Sequence, residues 1–150
     1  MNVKPFAQGE KKMCLIDDGD GRVTMIDDGG YVRARAKHKC KECFRFIEPG
    51  ETYHREVFKF EGEFSTHKTC AHCMVVRGWL QDECGGWLYG GVEEDAREHV
   101  FDNRGYYGVD LYRAVVGMQW QWRTPSGRRM RVPNQIKTSD EMRAAAGRVE

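Results

Sequence analysis

The fold is decided by two short segments, Lys39-Cys40-Lys41-Glu42-Cys43 and Lys68-Thr69-Cys70-Ala71-His72-Cys73. Each contains a Cys-x-x-Cys pair, and residues 44–69 separate the two pairs. A Cys-x-x-Cys turn places two sulfur atoms on one side of a tight knuckle, and structural zinc binds four such ligands in a tetrahedron, about 2.3 Å from each sulfur. The spacing therefore predicts one structural Zn²⁺ ion with no open coordination position. The predicted ligands are Cys40, Cys43, Cys70 and Cys73.

A second ligand set stays open, because His67 and Cys70 form a His-x-x-Cys motif. With Cys40 and Cys43 they would complete a Cys3His shell, similar to that of the zinc fingers of poly(ADP-ribose) polymerase. Cys73 is preferred to His67, because binding through His67 would leave the second cysteine of a Cys-x-x-Cys pair without a role.

The other cysteines and two nearby histidines have simpler interpretations. Cys14 and Cys84 have no partner at ligand spacing, so we expect them to be ordinary small apolar side chains. A bond between them, or a share in a second metal site, is the alternative. His38 and His72 flank the predicted zinc site and are expected at the surface or beside the ligands.

Composition is typical of a globular protein. The 150 residues are 40% hydrophobic and 31% charged, with a formal net charge of +1, which suits one domain with extensions. No apolar run approaches the ~18 residues of a membrane span, and residues 1–10 lack the apolar segment of a signal peptide, so a cytoplasmic location is expected. In a reducing compartment, paired cysteine spacing favours metal binding over disulfides.

Two β-hairpins are predicted in the first half of the chain. Asp28-Gly29-Gly30 is a turn signal between the segments 23–27 and 31–36, so an N-terminal hairpin is expected there. Residues 52–60 are rich in β formers, and 64–67 return the chain after a glycine turn. This predicts a second hairpin between the two cysteine pairs.

The second cysteine pair begins a predicted helix, with Thr69 as its N-cap and its end near Gly85-Gly86. Shorter helices are predicted over 92–100, 110–118 and 139–146. A knuckle, a hairpin and a helix carrying the last two ligands form the treble-clef arrangement. The predicted fold class is therefore α+β, and the predicted segments are an N-terminal lead-in with a hairpin (1–36), a treble-clef-like zinc unit (37–101) and a basic, aromatic C-terminal α/β extension with a mobile tail (102–150).

Basic and aromatic residues on either side of the zinc unit are candidate partner-binding positions. The basic run at the first knuckle either neutralises a tetrathiolate zinc centre, whose net charge is about −2, or binds nucleic acid. In the extension, a third hairpin around 124–127 would place Trp120 and Trp122 on one face, as core or as a platform for bases or a protein. The candidates are Arg33, Arg35, Lys37, Lys39, Trp120, Trp122, Arg123, Arg128, Arg129 and Arg131.

Residues 34–43, 47–53 and 68–73 resemble small zinc-finger proteins encoded by bacteriophages and prophages, whose functions are largely unknown. Many of those proteins open with Met-Cys, and Met13-Cys14 corresponds to that start, which would make residues 1–12 an upstream extension. The resemblance covers about residues 14–99 and leaves the basic C-terminal third outside it. It implies a treble-clef-like zinc unit and a phage or prophage origin, but no activity.

Two classes of function follow. The first is a non-enzymatic phage accessory factor, in which zinc substitutes for a large apolar core and exposed surfaces bind a host protein or nucleic acid. The alternative is a metal-dependent nuclease of the His-Asn-His class, for which His99 and Asn103 lie close in sequence. The expected His-His or Asp-His pair is missing, and zinc bound by four thiolates has no position for an activated water. The binding protein is therefore preferred.

Overall fold

A computed structural model describes residues 23–27, 29–102 and 108–147. Within these residues the fold is α+β, with six strands and four helices. The elements are β1 (Val23–Asp27), β2 (Tyr31–Arg33), β3 (His38–Lys39), β4 (Phe46–Ile47), β5 (Thr52–Phe60), β6 (Glu63–Cys70), α1 (Ala71–Cys84), α2 (Val92–Asp102), α3 (Val109–Gln119) and α4 (Ser139–Gly147). None of the helices in the described ranges is long and apolar enough to cross a bilayer.

β5 is the central strand of the larger sheet and pairs antiparallel with β6 from Tyr53 to Phe60. The two strands are joined by Glu61 and Gly62, which both have positive φ, 49° and 85°. Two such residues form the type I′ turn that matches the twist of a hairpin. The predicted second hairpin is therefore confirmed, and it ends at the second pair of cysteines.

The predicted N-terminal hairpin is wrong. β1 pairs antiparallel with residues 57–60 and β2 with residues 52–54, so both strands run in the same direction along β5. Gly29 explains the turn signal, because a Cβ there would lie 2.9 Å from the carbonyl oxygen of Arg55. The Gly30 carbonyl also accepts a 3.0 Å hydrogen bond from the Arg55 N–H. The glycines allow a close approach to β5 between two paired segments and do not reverse the chain.

β6 runs directly into α1, and Cys70 is both the last strand residue and the helix N-cap. Thr69 is therefore not the cap, as predicted, but a buried strand residue. The helix ends as predicted at Gly85, whose φ of 84° is the left-handed conformation that glycine adopts most easily. This direct junction puts the second cysteine pair in the first turn of a rigid helix.

The third predicted hairpin forms only as a tight turn. The Thr124 N–H donates to the Arg128 carbonyl at 2.8 Å, and Arg123 and Arg129 form an isolated antiparallel bridge. The flanking residues do not extend this bridge into a ladder, because Gln121 and Trp122 have positive φ and so are not in strand geometry.

Trp120 and Trp122 do not share a face, contrary to the prediction. Gln121 and Trp122 have positive φ values of 54° and 58°, so the chain reverses abruptly after α3. Trp120 is 50% exposed, whereas Trp122 is only 2% exposed. Trp122 packs against Gly117, where a Cβ would come within 2.4 Å of its ring.

One buried apolar cluster runs from Ala34 through α1, α2 and α3 to Ile136. The C-terminal third takes part in it, since the indole N–H of Trp79 in α1 donates to the Lys137 carbonyl at 3.0 Å. The division into three segments stays a prediction, but the core passes through residues from all three. The cysteine pairs lie within this cluster.

Candidate metal centre

The first cysteine pair lies in a knuckle between β3 and β4. These two strands pair antiparallel, with His38 opposite Ile47 and Lys39 opposite Phe46. The Cys40 N–H donates to the Arg45 carbonyl at 2.9 Å, which closes the knuckle. The Lys41 N–H donates to the carbonyl of Lys68 in β6 at 2.8 Å, so the knuckle is docked on the strand that delivers the second pair.

The four sulfur atoms of Cys40, Cys43, Cys70 and Cys73 all lie within 4.8 Å of one another, and all four residues are buried. The Sγ atoms of Cys43 and Cys70 are 3.9 Å apart. A tetrahedron with zinc–sulfur bonds of 2.3 Å has edges of about 3.8 Å. The donor set therefore fits one zinc ion in chemistry and in size, and four sulfurs complete the shell.

Hydrogen-bond donors converge on the sulfurs, as thiolate ligands require. The backbone N–H groups of Glu42 and Cys70 point to the Cys40 sulfur at 3.4 and 3.3 Å. The indole N–H of Trp122 points to the Cys73 sulfur at 3.3 Å. Such hydrogen bonds spread the negative charge of a thiolate. In metal sites, groups around the ligands orient the ligands and tune the metal in this way.

The thiols influence one another's ionisation strongly. Burial raises the pKa of the Cys73 thiol, whereas hydrogen bonds from the Cys40, Cys43 and Cys73 thiols lower the pKa of Cys70. Four thiolates in a buried space need a compensating cation, because their mutual repulsion is large at low dielectric. A divalent metal ion supplies that charge and displaces the protons.

Arg45 adds a fixed positive charge beside the cluster. Burial opposes its charged form, but hydrogen bonds with Glu51 and the nearby Cys70 sulfur outweigh this and raise the pKa of Arg45. Its Nη1 and Nη2 atoms lie 3.2 and 2.8 Å from the two Glu51 oxygens. Arg129 also pairs with Glu51, so the group of three side chains keeps a net positive charge.

His72 connects this group to the C-terminal third. Its Nε2 lies 2.7 Å from the Met130 carbonyl, which can only accept, and its Nδ1 lies 3.1 Å from an Arg45 nitrogen, which can only donate. These two contacts fit the imidazole tautomer that carries its proton on Nε2. This matches the expected place of His72 beside the ligands.

His67 does not belong to the sulfur cluster that the structure defines. Its Nε2 lies 3.0 Å from an oxygen of the buried Glu42, and its ring packs edge-on against Tyr89 at 4.7 Å. Glu42 also accepts hydrogen bonds from the backbone N–H groups of Gly90 and Val92. The histidine thus takes part in a polar network that ties the knuckle to the start of α2.

The candidate partner residues divide into exposed and engaged groups. Trp122 is buried, and Arg129 is paired with Glu51, so neither side chain is free for a partner in this conformation. Arg123 is exposed, with its guanidinium donating to the Gly127 carbonyl at 2.8 Å. The remaining exposed candidates are Arg33, Arg35, Lys37, Lys39, Trp120, Arg128 and Arg131.

Two of the residues that suggested other chemistry, Cys84 and His99, lie inside the fold. Cys84 is buried and disulfide-bonded, so its interpretation as an ordinary apolar side chain is wrong; Cys14 lies outside the described residues. His99 is buried in α2, with its Nδ1 2.8 Å from the Asp95 carbonyl. Burial opposes its charge, but hydrogen bonds with Asp95 outweigh this and raise the pKa of His99. Asn103 lies outside the described residues.

Sequence reasoning missed the surroundings of the sulfurs. The sequence pattern predicts that Trp122 lies in the core or on a partner surface, and it predicts no contact for Arg45. Nothing in the local sequence signals their contacts, because each depends on residues far away along the chain. Comparisons of the chain with protein-family models, curated proteins and solved structures found no match.

Proposed function

We propose that the four-cysteine cluster binds one structural zinc ion and that the chain is a non-enzymatic, zinc-stabilised binding protein. The observation that carries the proposal is the set of four buried sulfur donors within 4.8 Å of one another. Four sulfurs satisfy zinc completely, so the ion has no position for an activated water and its contribution is folding energy.

The order of elements supports a treble-clef-like assignment of this zinc unit. A knuckle between β3 and β4 gives the first two ligands, the β5–β6 hairpin follows, and α1 begins with the last two. The knuckle is fixed to the end of the hairpin by the Lys41–Lys68 backbone bond. In this arrangement the metal would join the knuckle, the β5–β6 hairpin and α1.

The partner is proposed to be a host protein or nucleic acid, and the setting a bacteriophage accessory function. The setting depends on the resemblance of residues 34–73 to phage-encoded zinc fingers, and the partner on exposed lysine and arginine side chains around the knuckle. The nuclease alternative is not adopted, because its candidate His99 is buried against Asp95 and Trp79.

Metal analysis tests the first part of this proposal. Protein purified without added metal should carry one zinc per chain, and strong chelation should remove the zinc together with α1 helicity seen by circular dichroism. Cobalt substitution should give the intense visible bands of tetrahedral thiolate coordination. A folded chain free of zinc that takes up no cobalt would refute the proposal.

Affinity purification from host lysate, with and without nuclease treatment, tests the partner. A bound host protein that survives nuclease, or bound nucleic acid that does not, supports a binding function. The control is a variant with Cys40 and Cys43 both changed to Ser, which should lose zinc and partner together. Equal recovery with the control variant would count against the proposal.

A further inference from the structure

The outward face of the β3–β4 pair carries two lysines and two phenylalanines. Because Lys39 lies opposite Phe46 and His38 opposite Ile47, the two residue pairs occupy opposite faces. Ile47 is fully buried, whereas Phe46 is 52% exposed. We call the exposed set Lys37, Lys39, Phe44 and Phe46 the knuckle face.

Each ring of the knuckle face has an ammonium group beside it. Lys37 Nζ lies 4.9 Å from the centroid of Phe46, and Lys39 Nζ lies 6.0 Å from that of Phe44. These distances are at cation–π range, so the rings and the charges form one mixed surface. Aromatic planes next to cations can stack a base and neutralise its phosphate at the same time.

Phe44 stands in a backbone conformation that does not suit it. Its φ is 66°, a region that glycine or asparagine adopts easily and that is an outlier for a bulky side chain. Its ring is 57% exposed, so packing offers little compensation. Strained residues of this kind cluster at binding sites, and an exposed phenylalanine here points to a ligand.

Acidic groups near the knuckle face are mostly engaged. Glu42 is buried and bound to backbone N–H groups, and Glu51 is shared by Arg45 and Arg129. Glu48, half-buried after β4, is the remaining carboxylate of this segment. The exposed Arg33 lies beside the turn that follows β4, with Nη2 3.9 Å from the Cβ position of Gly50.

Another exposed phenylalanine, Phe64 in β6, offers an internal comparison. Phe64 is 66% exposed, and Lys59 Nζ lies 5.8 Å from its ring. It resembles the knuckle face in these contacts, but the exposed carboxylates of Glu61 and Glu63 flank it. The knuckle face therefore differs from the surroundings of Phe64 in charge, because exposed carboxylates flank only Phe64.

We propose that the knuckle face binds single-stranded nucleic acid, with Phe44 and Phe46 stacking on bases and Lys37, Lys39 and Arg33 contacting phosphates. This rests on the proposed function and names its partner. A single strand is favoured because its bases are free to leave their neighbours and stack on aromatic rings, whereas a duplex keeps them paired. DNA and RNA share this chemistry.

Fluorescence anisotropy with zinc-loaded full-length protein tests the proposal. The probes are a labelled oligothymidylate and a labelled oligouridylate of about 12 nucleotides, and a DNA duplex of the same length. Either single strand should bind more tightly than the duplex, and the ratio of the two single-strand Kd values shows which sugar is preferred. Lys37→Gln should lower the slope of log K against log salt by about 0.7, the value for one phosphate contact on a single strand.

The phenylalanine variants separate binding from folding. Phe44→Gly removes the ring and also relieves the backbone strain, so the protein should bind the single strand at least about fivefold more weakly without losing zinc or thermal stability. Phe46→Ala should behave similarly. The matched control Phe64→Ala should leave Kd unchanged.

Several results would overturn the inference: no binding by the zinc-loaded protein, equal binding of the duplex, or equal losses in Phe44→Gly and Phe64→Ala. A different result would assign the knuckle face to a protein partner instead. In that case the protein binds no oligonucleotide but captures a host protein from nuclease-treated lysate, and Phe44→Gly abolishes this capture. In each case one zinc per chain would leave the proposed function intact. A chain without zinc would refute that function itself.

Discussion

The indole N–H of Trp122 points at the sulfur of Cys73 at 3.3 Å. This contact joins residues 49 positions apart and makes the segment after α3 part of the metal centre's environment. The ring also packs against His72, with centroids 5.1 Å apart. The stability of the proposed zinc unit should therefore depend on residues outside the segment that holds the cysteines.

Trp122→Phe should weaken zinc retention while keeping most of the packing. The substitution removes one hydrogen bond to a thiolate, which is worth about 1.5–3 kcal/mol when one partner is charged. We expect faster zinc transfer to a coloured chelator and a lower midpoint in urea. Trp120→Phe is the matched control, because Trp120 is half-exposed and should leave both measurements unchanged. Equal behaviour of the two variants would refute the role of the contact.

Two helical glycines should respond in opposite ways to alanine. A Cβ on Gly117 would lie 2.4 Å from a ring carbon of Trp122, whereas a Cβ on Gly78 in α1 would meet nothing within 4 Å. Gly117→Ala should therefore cost about 1–3 kcal/mol through overpacking. Gly78→Ala should stabilise the protein by about 0.5–1 kcal/mol through helix propensity. Urea unfolding of the two zinc-loaded variants measures both values, and a stabilising Gly117→Ala would contradict the packing described.

The two ligand sets considered for the metal can be separated by substitution. Cys73→Ser should reduce zinc binding strongly, because serine is a poor ligand for zinc beside three thiolates. His67→Asn should keep one zinc per chain, since its ring contacts Glu42 and Tyr89. Metal content and the cobalt spectrum measure the outcome. Retention of zinc in Cys73→Ser together with its loss in His67→Asn would establish the Cys3His set instead.

The predictions that succeeded depended on local physics. The β-forming residues of 52–60 and the glycine at 85 act on their own neighbours, so β5 and the end of α1 follow from the sequence. The N-terminal hairpin predicted from Asp28-Gly29-Gly30 is wrong because the glycines that favour a turn also permit close approach of the backbone to Arg55. The prediction that Trp120 and Trp122 share one face failed because Gln121 and Trp122 have positive φ. Tertiary packing imposes this conformation on two non-glycine residues, so it leaves no sequence signal. The sulfur cluster was predictable because two knuckles with thiol ligands have few other uses, whereas the groups that hydrogen-bond to it come from distant segments.

Glu56 should make the free energy of unfolding depend on pH in the acid range. It is fully buried, and its carboxylate oxygens lie 2.8 and 2.7 Å from the two terminal nitrogens of Arg77. Tyr89 donates its hydroxyl to the same group at 2.6 Å. Burial alone would raise the pKa of Glu56, but hydrogen bonds with His54 and Arg77, together with the Arg77 charge, lower it far below its usual range.

A lowered folded-state pKa means that the carboxylate stabilises the protein above the unfolded-state pKa of about 4.3 and loses that contribution as the pH falls below it. Glu56→Gln leaves the Arg77 charge buried without its partner, which costs about 3–5 kcal/mol at pH 7. The difference in unfolding free energy between wild type and variant should therefore be largest near neutral pH and shrink below about pH 4. Because both proteins keep the same cysteines, proton competition for zinc cancels in this difference. A gap independent of pH between 7 and 3 would show that folding leaves the pKa of Glu56 at its unfolded-state value, contrary to this prediction.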